Sequence, residues 1–156
     1  MPLAMRESGP VLTDARIRTT EEVLEVRLPP AYRAFLLRHN GGRPTPNRFD
    51  LGPYGDCQIV DFFRLEHPHN NLVERAEMLW DRDTVPRGLL PVALLSRQDA
   101  QLFIAVEGID GDSGAGDLVG TVYAWLPDNP PQGSTVWHDL IHLADDFEEF
   151  LDGLYP

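Results

Sequence analysis

Few residues in this chain have the types and spacing that chemistry requires. In "IDGDSGAGDLVG", Asp110, Asp112 and Asp117 lie in a glycine-rich stretch. Oxygen-rich loops suit Ca²⁺, and alternating Asp residues open an EF-hand loop. The position such a loop fills with a bidentate Glu is Thr121 here, so the stretch reads better as an acidic inter-strand loop able to touch a basic partner. "WHDLIH" gives His138 and His142 the i, i+4 spacing that can hold zinc on a helix. "HPHNN" offers His67 and His69, with Pro68 between them marking a loop or the start of a helix. Neither pair has a complete zinc ligand set. Cys57 leads into the apolar run "CQIVDFF", the setting of a core residue and not of a nucleophile. His39 adjoins Asn40, but no nucleophile stands near them in the sequence. No phosphate loop, nucleophile elbow or paired metal motif occurs. No catalytic residue, metal or cofactor is therefore assigned, and the chain is not expected to be an enzyme.

The elements that must position these residues fit one domain, since 156 residues supply a sizeable core but not two comfortable ones. Net charge is −12, and it is unevenly spread. Residues 1–50 carry 8 Arg against 6 acids, residues 51–100 carry 5 Arg against 8 acids, and residues 101–156 carry 11 acids and no basic residue. Such a field repels nucleic acid and anionic membranes, because phosphate affinity comes from Lys and Arg. It attracts a basic partner and speeds encounter with it, although solubility alone also explains it. The single Cys57 excludes an internal disulfide and fits a reducing compartment. "MPLAMRESGPVL" has no apolar run of secretory length, and no later segment approaches the roughly 18 apolar residues of a membrane span. A cytoplasmic address is expected.

Residues 1–19 read as an irregular lead-in. "TTEEVLEV" predicts a short helix capped by Thr19 or Thr20. In "LPPAYRAFLLRHNGG", Pro29 and Pro30 suit a helix start, and Tyr32, Phe35, Leu36 and His39 follow at i, i+3, i+4 and i+7. Asn40, Gly41 and Gly42 then tolerate the left-handed backbone that ends a helix. "RFDLG", "CQIVDFF", "LLPVALLS", "QLFIAVE" and "GTVYAWL" read as strands. "HNNLVERAEMLWD" predicts a helix with Leu72, Ala76 and Leu79 on one face. "LADDFEEFLDGLYP" predicts another, with Leu143, Phe147, Phe150, Leu151 and Leu154 at helical spacing and Asp145 with Glu148 as a capping box. Asp146, Glu149 and Asp152 would face water. The expected class is α+β: a single domain with a largely antiparallel sheet, helices packed on one side, and a C-terminal amphipathic helix.

Three stretches in this order resemble the SUKH superfamily, which includes fungal cell-wall assembly regulators and many bacterial toxin-immunity proteins. "LPPAYRAFLLRHNGGRP" is similar to that family's helix and Asn-Gly-Gly turn. "LLPVALLS" with the later "GTVYAW" is similar to two of its strands, and "ADDFEEFLDGL" to its last helix. The matches run from Glu21 to Leu154, within an expected domain of residues 20–156. The family often has Ser where this chain has Asp146, and Asp suits a helix N-terminus equally well. The resemblance makes the segment around His138 and His142 extended, which would separate them by about 13 Å at roughly 3.3 Å per residue, too far to share an ion.

What the resemblance implies is a non-enzymatic binding role. The leading expectation is an immunity-type protein that neutralises a cognate toxin, a basic nuclease-like domain, through an acidic surface that includes Asp110, Asp112 and Asp117. The alternative is a regulatory or scaffold domain of the same superfamily with no toxin partner. Neither nucleic acid nor membrane is an expected partner, and the chain is expected to be a monomer or weak homodimer.

Overall fold

In a computed structural model, residues 3–97, 100–109, 118–126 and 140–156 are described. Among these residues ten strands and four α-helices follow in the order β1 (Ala4–Arg6), α1 (Asp14–Leu24), β2 (Val26–Arg27), α2 (Pro30–Arg38), β3 (Arg43–Thr45), β4 (Arg48–Asp50), β5 (Asp56–Phe62), α3 (Leu72–Asp81), β6 (Leu89–Leu95), β7 (Gln101–Ala105), β8 (Glu107–Gly108), β9 (Val122–Trp125), β10 (Ile141–Ala144) and α4 (Phe147–Asp152). Six strands form the main sheet in the order β10-β9-β7-β6-β5-β4, and every pairing in it is antiparallel. Two smaller antiparallel pairs, β1 with β3 and β2 with β8, flank it. This is the α+β arrangement expected. Among the described residues no helix is long and apolar enough to cross a membrane.

Residues opposite one another on antiparallel strands share a face of the sheet. Phe62, Ala93, Leu102 and Ala124 are matched in this way across β5, β6, β7 and β9. Helices α2 and α4 cover that face, since Phe62 lies 4.9 Å from the Phe35 ring and 5.9 Å from the Phe147 ring. Tyr32 meets Phe147 edge-on at 5.0 Å. The expected stripe of Tyr32, Phe35 and Leu36 is thus the buried face of α2. Helix α3 rests against β6, where the Trp80 indole N–H donates to the Leu89 carbonyl at 3.0 Å. Leu72, Ala76 and Leu79 are buried with it, as their spacing predicts.

Two helix starts differ from expectation. The lead-in is not irregular throughout: it supplies β1, which pairs with β3, and the first turns of α1. The cap of α1 is Thr13, whose side chain accepts from the Arg16 N–H, and not Thr19 or Thr20. The hydroxyls of those two residues turn back to the carbonyls of Ala15 and Arg16 and are satisfied inside the helix. At α4 the reciprocal capping contacts are one residue later than predicted. Asp146 accepts from the Glu149 N–H at 2.8 Å, and Glu149 accepts from the Asp145 N–H at 3.2 Å. Leu143 lies in β10, which pairs with β9 in place of extending the helix.

Candidate interaction site

The Asn-Gly-Gly turn is more than a helix stop. Helix α2 ends at Arg38, and His39 leaves it in extended backbone. Asn40 is buried, and its amide donates to the carbonyls of Pro10 and Leu65 while its oxygen accepts from the Leu65 N–H. Gly41 and Gly42 have φ of 68° and 115°. A Cβ on Gly41 would lie 2.6 Å from the Phe63 carbonyl, and one on Gly42 would lie 2.5 Å from the Arg6 carbonyl. Only glycine gives that conformation and that closeness together. The turn therefore brings the N-terminal segment against the end of β5.

At that junction Arg64 and Asp61 form a buried bidentate pair, at 2.7 and 2.8 Å, with both side chains at most 5% exposed. Charges removed from water need every hydrogen bond satisfied. The Asn70 amide gives Asp61 a third donor at 2.6 Å, and the Arg64 Nε–H donates to the Glu7 carbonyl at 2.7 Å. Arg64 Nη1 also reaches the His69 carbonyl at 3.5 Å. The pair thus ties residues 66–70 and the N-terminal segment to β5. Between them opens a cleft of about 430 Å³ lined by polar and charged residues, which expose polar and carbon surface about equally to it. Glu7 on its rim is held by Arg43 at 2.9 Å, and Ser8 donates to the Gly41 carbonyl at 2.8 Å.

His67 and His69 both line this cleft, with ring centroids 5.8 Å apart. The His67 Nδ1 lies 3.1 Å from the His69 backbone nitrogen and 3.2 Å from the His69 carbonyl oxygen, so the His69 backbone holds that side of the ring and, among the described residues, Nε2 is left without a partner. Among the described residues no three His, Cys, Asp or Glu side chains are grouped to hold a metal ion. His142 is on β10, exposed, 2.9 Å from the Asp145 carboxylate and edge-on to Tyr123. His138 lies outside the described residues, as do Asp110, Asp112 and Asp117. Cys57 is buried, 3.7 Å from the Ser96 hydroxyl. His39 packs on the Phe35 ring. Partial burial, helped by the Arg38 charge, lowers its pKa.

The residues that build the cleft, Glu7, Arg43, Asp61 and Arg64, were not singled out by sequence reasoning. One signal was present: Asp61 and Arg64 interrupt the apolar run "CQIVDFFRL" three residues apart, which marks opposite charges carried into a core.

No curated protein matches the chain. Residues 11–153, which include the Asn-Gly-Gly turn, the buried pair and α4, match the SMI1 / KNR4 family (SUKH-1), and the chain belongs to that family.

Proposed function

We propose that this chain is a non-enzymatic immunity-type protein of the cytoplasm, which binds and neutralises a cognate toxin through an acidic surface. Family membership supports a protein–protein interaction role. The observation that carries the reading to a basic, nuclease-like partner is the charge of residues 101–156, with 11 acids and no basic side chain. An acidic surface can occupy a groove built for phosphates, and charge complementarity acts chiefly on association rate and selectivity. Asp110, Asp112 and Asp117 are the proposed contacts, in the stretch between β8 and β9.

Co-expression with the toxin-like domain encoded beside this gene tests the reading. Growth rescue, a one-to-one complex on gel filtration and association that slows as salt rises are the expected results. Absence of rescue would overturn the immunity role and favour a regulatory scaffold domain. Rescue with association insensitive to salt would remove the acidic surface from the account.

A further inference from the structure

The cleft beside the Asn-Gly-Gly turn plays no part in that reading, yet most of its free groups are nitrogens of Arg and His. Both carboxylates that face it are engaged. Asp61 accepts from Arg64 with both oxygens and from Asn70, and Glu7 is paired with Arg43. Apart from the second oxygen of Glu7, what remains unspent is nitrogen groups able to donate. Among the described residues the terminal nitrogens of Arg43, the ring nitrogens of His69 and the Nε2 of His67 have no hydrogen-bond partner. We propose that this cleft binds a phosphate group, free or carried by a small molecule.

Three features favour that ligand. The donors come from two separate elements, β3 and the 66–70 segment, and so surround the space. A phosphate presents three acceptor oxygens in different directions, whereas a carboxylate presents its lone pairs in one plane. The volume of about 430 Å³ exceeds what a lone phosphate fills and lies in the range of small-molecule sites, and a lining of mixed polar and carbon surface suits a small organic body. Finally, five described non-glycine residues have positive φ, and three of them, Glu7, Glu66 and Asn70, belong to the two segments that form the cleft. Left-handed backbone is costly for L side chains and persists where the surroundings dictate it, which concentrates at binding sites. The buried Asp61–Arg64 pair supplies that support, fixing both segments before any ligand arrives.

Proton resonances of the His67 and His69 rings, followed during titration with inorganic phosphate and separately with phenyl phosphate at constant ionic strength, test the site. Saturable shifts are expected for the native protein. They should require about tenfold more phosphate in Arg43→Ala or His69→Ala, the loss expected for one hydrogen bond to a charged group. Arg18→Ala, on an exposed part of α1, should bind as the native protein does. Tighter binding of phenyl phosphate assigns a small phosphomonoester, and equal affinity assigns free phosphate. Shifts that merely follow ionic strength, or that persist unchanged in both cleft variants, overturn the proposal. Failure here leaves the toxin-binding reading untouched, since no step of that reading uses the cleft.

Discussion

Glu7, Asp14, Glu21, Asp61 and Glu66 each lie 2.7 to 3.6 Å from an arginine nitrogen, whereas Asp146, Glu148, Glu149 and Asp152 around α4 meet none among the described residues. The chain has no arginine after Arg97, so the second group has no arginine near it in sequence. These later carboxylates are met by backbone N–H groups, as at Asp146 and Glu149, or by water. The same side-chain chemistry therefore does two jobs. In the first part of the chain it fastens elements together: Glu21 on α1 accepts from both Arg33 and the Leu28 N–H. In the last part it caps one short helix and leaves the other carboxylates of α4 exposed to solvent. A carboxylate is structural where its counter-charge and its burial coincide, and it is a source of field where neither is present.

The sharpest test of that contrast is Asp61→Ala, which would leave the Arg64 guanidinium buried and unpaired. A loss of about 3–5 kcal/mol on urea unfolding is expected, and a change within experimental scatter would show that Arg64 finds water instead. Gly41→Val forces a side chain into left-handed backbone 2.6 Å from the Phe63 carbonyl. It should cost about 2 kcal/mol or more by the same measurement. In the α4 region, Asp146→Ala removes a backbone cap and should cost about 1 kcal/mol in thermal unfolding. Arg16→Ala breaks a 3.6 Å pair whose members are half exposed. Its cost should stay under about 0.5 kcal/mol, so that a larger value would blur the distinction between buried and surface pairs.

The smallest effect concerns Tyr155, whose hydroxyl donates to Asp56 at 2.6 Å. That hydrogen bond, with the neighbouring charges of Asp56 and Asp50, raises the phenol pKa above its ordinary value. The neutral form is the one favoured, so the contribution is full below the ordinary tyrosine pKa and is lost as pH rises through the raised one. Asp56→Asn should lower the Tyr155 titration observed by ultraviolet absorbance. An unmoved titration would show that the carboxylate is not responsible.

Where local chemistry decides, the sequence was a sufficient guide. Helix α2 reads directly because its proline start, apolar stripe and glycine stop are all within fifteen residues. The strand runs read for the same reason. The start of α1 did not, because Thr13, Thr19 and Thr20 are equal as caps on paper, and two of them are satisfied inside the helix. Leu143 fits the helical period by coincidence, and only pairing with β9 assigns it to a strand. The cleft was the least legible part. It joins Glu7, Arg43 and Arg64, which are separated by tens of residues and assembled by backbone approaches at Gly41 and Gly42. Asp110, Asp112 and Asp117 lie outside the described residues, and their role rests on charge.

The hold of Asn40 on Pro10 and of Arg64 on Glu7 has a consequence for the order of events during synthesis. Strand β1 has its only pairing among the described residues with β3, and the segment after it is fastened to residues 40 and 64. A ribosome delivers residues 4–10 long before it delivers residue 64, so this segment must wait undocked while α1 and α2 form from local contacts. Its docking closes loops of about 30 residues or more, an entropic cost that the local helices do not carry, and it completes the cleft as it does so.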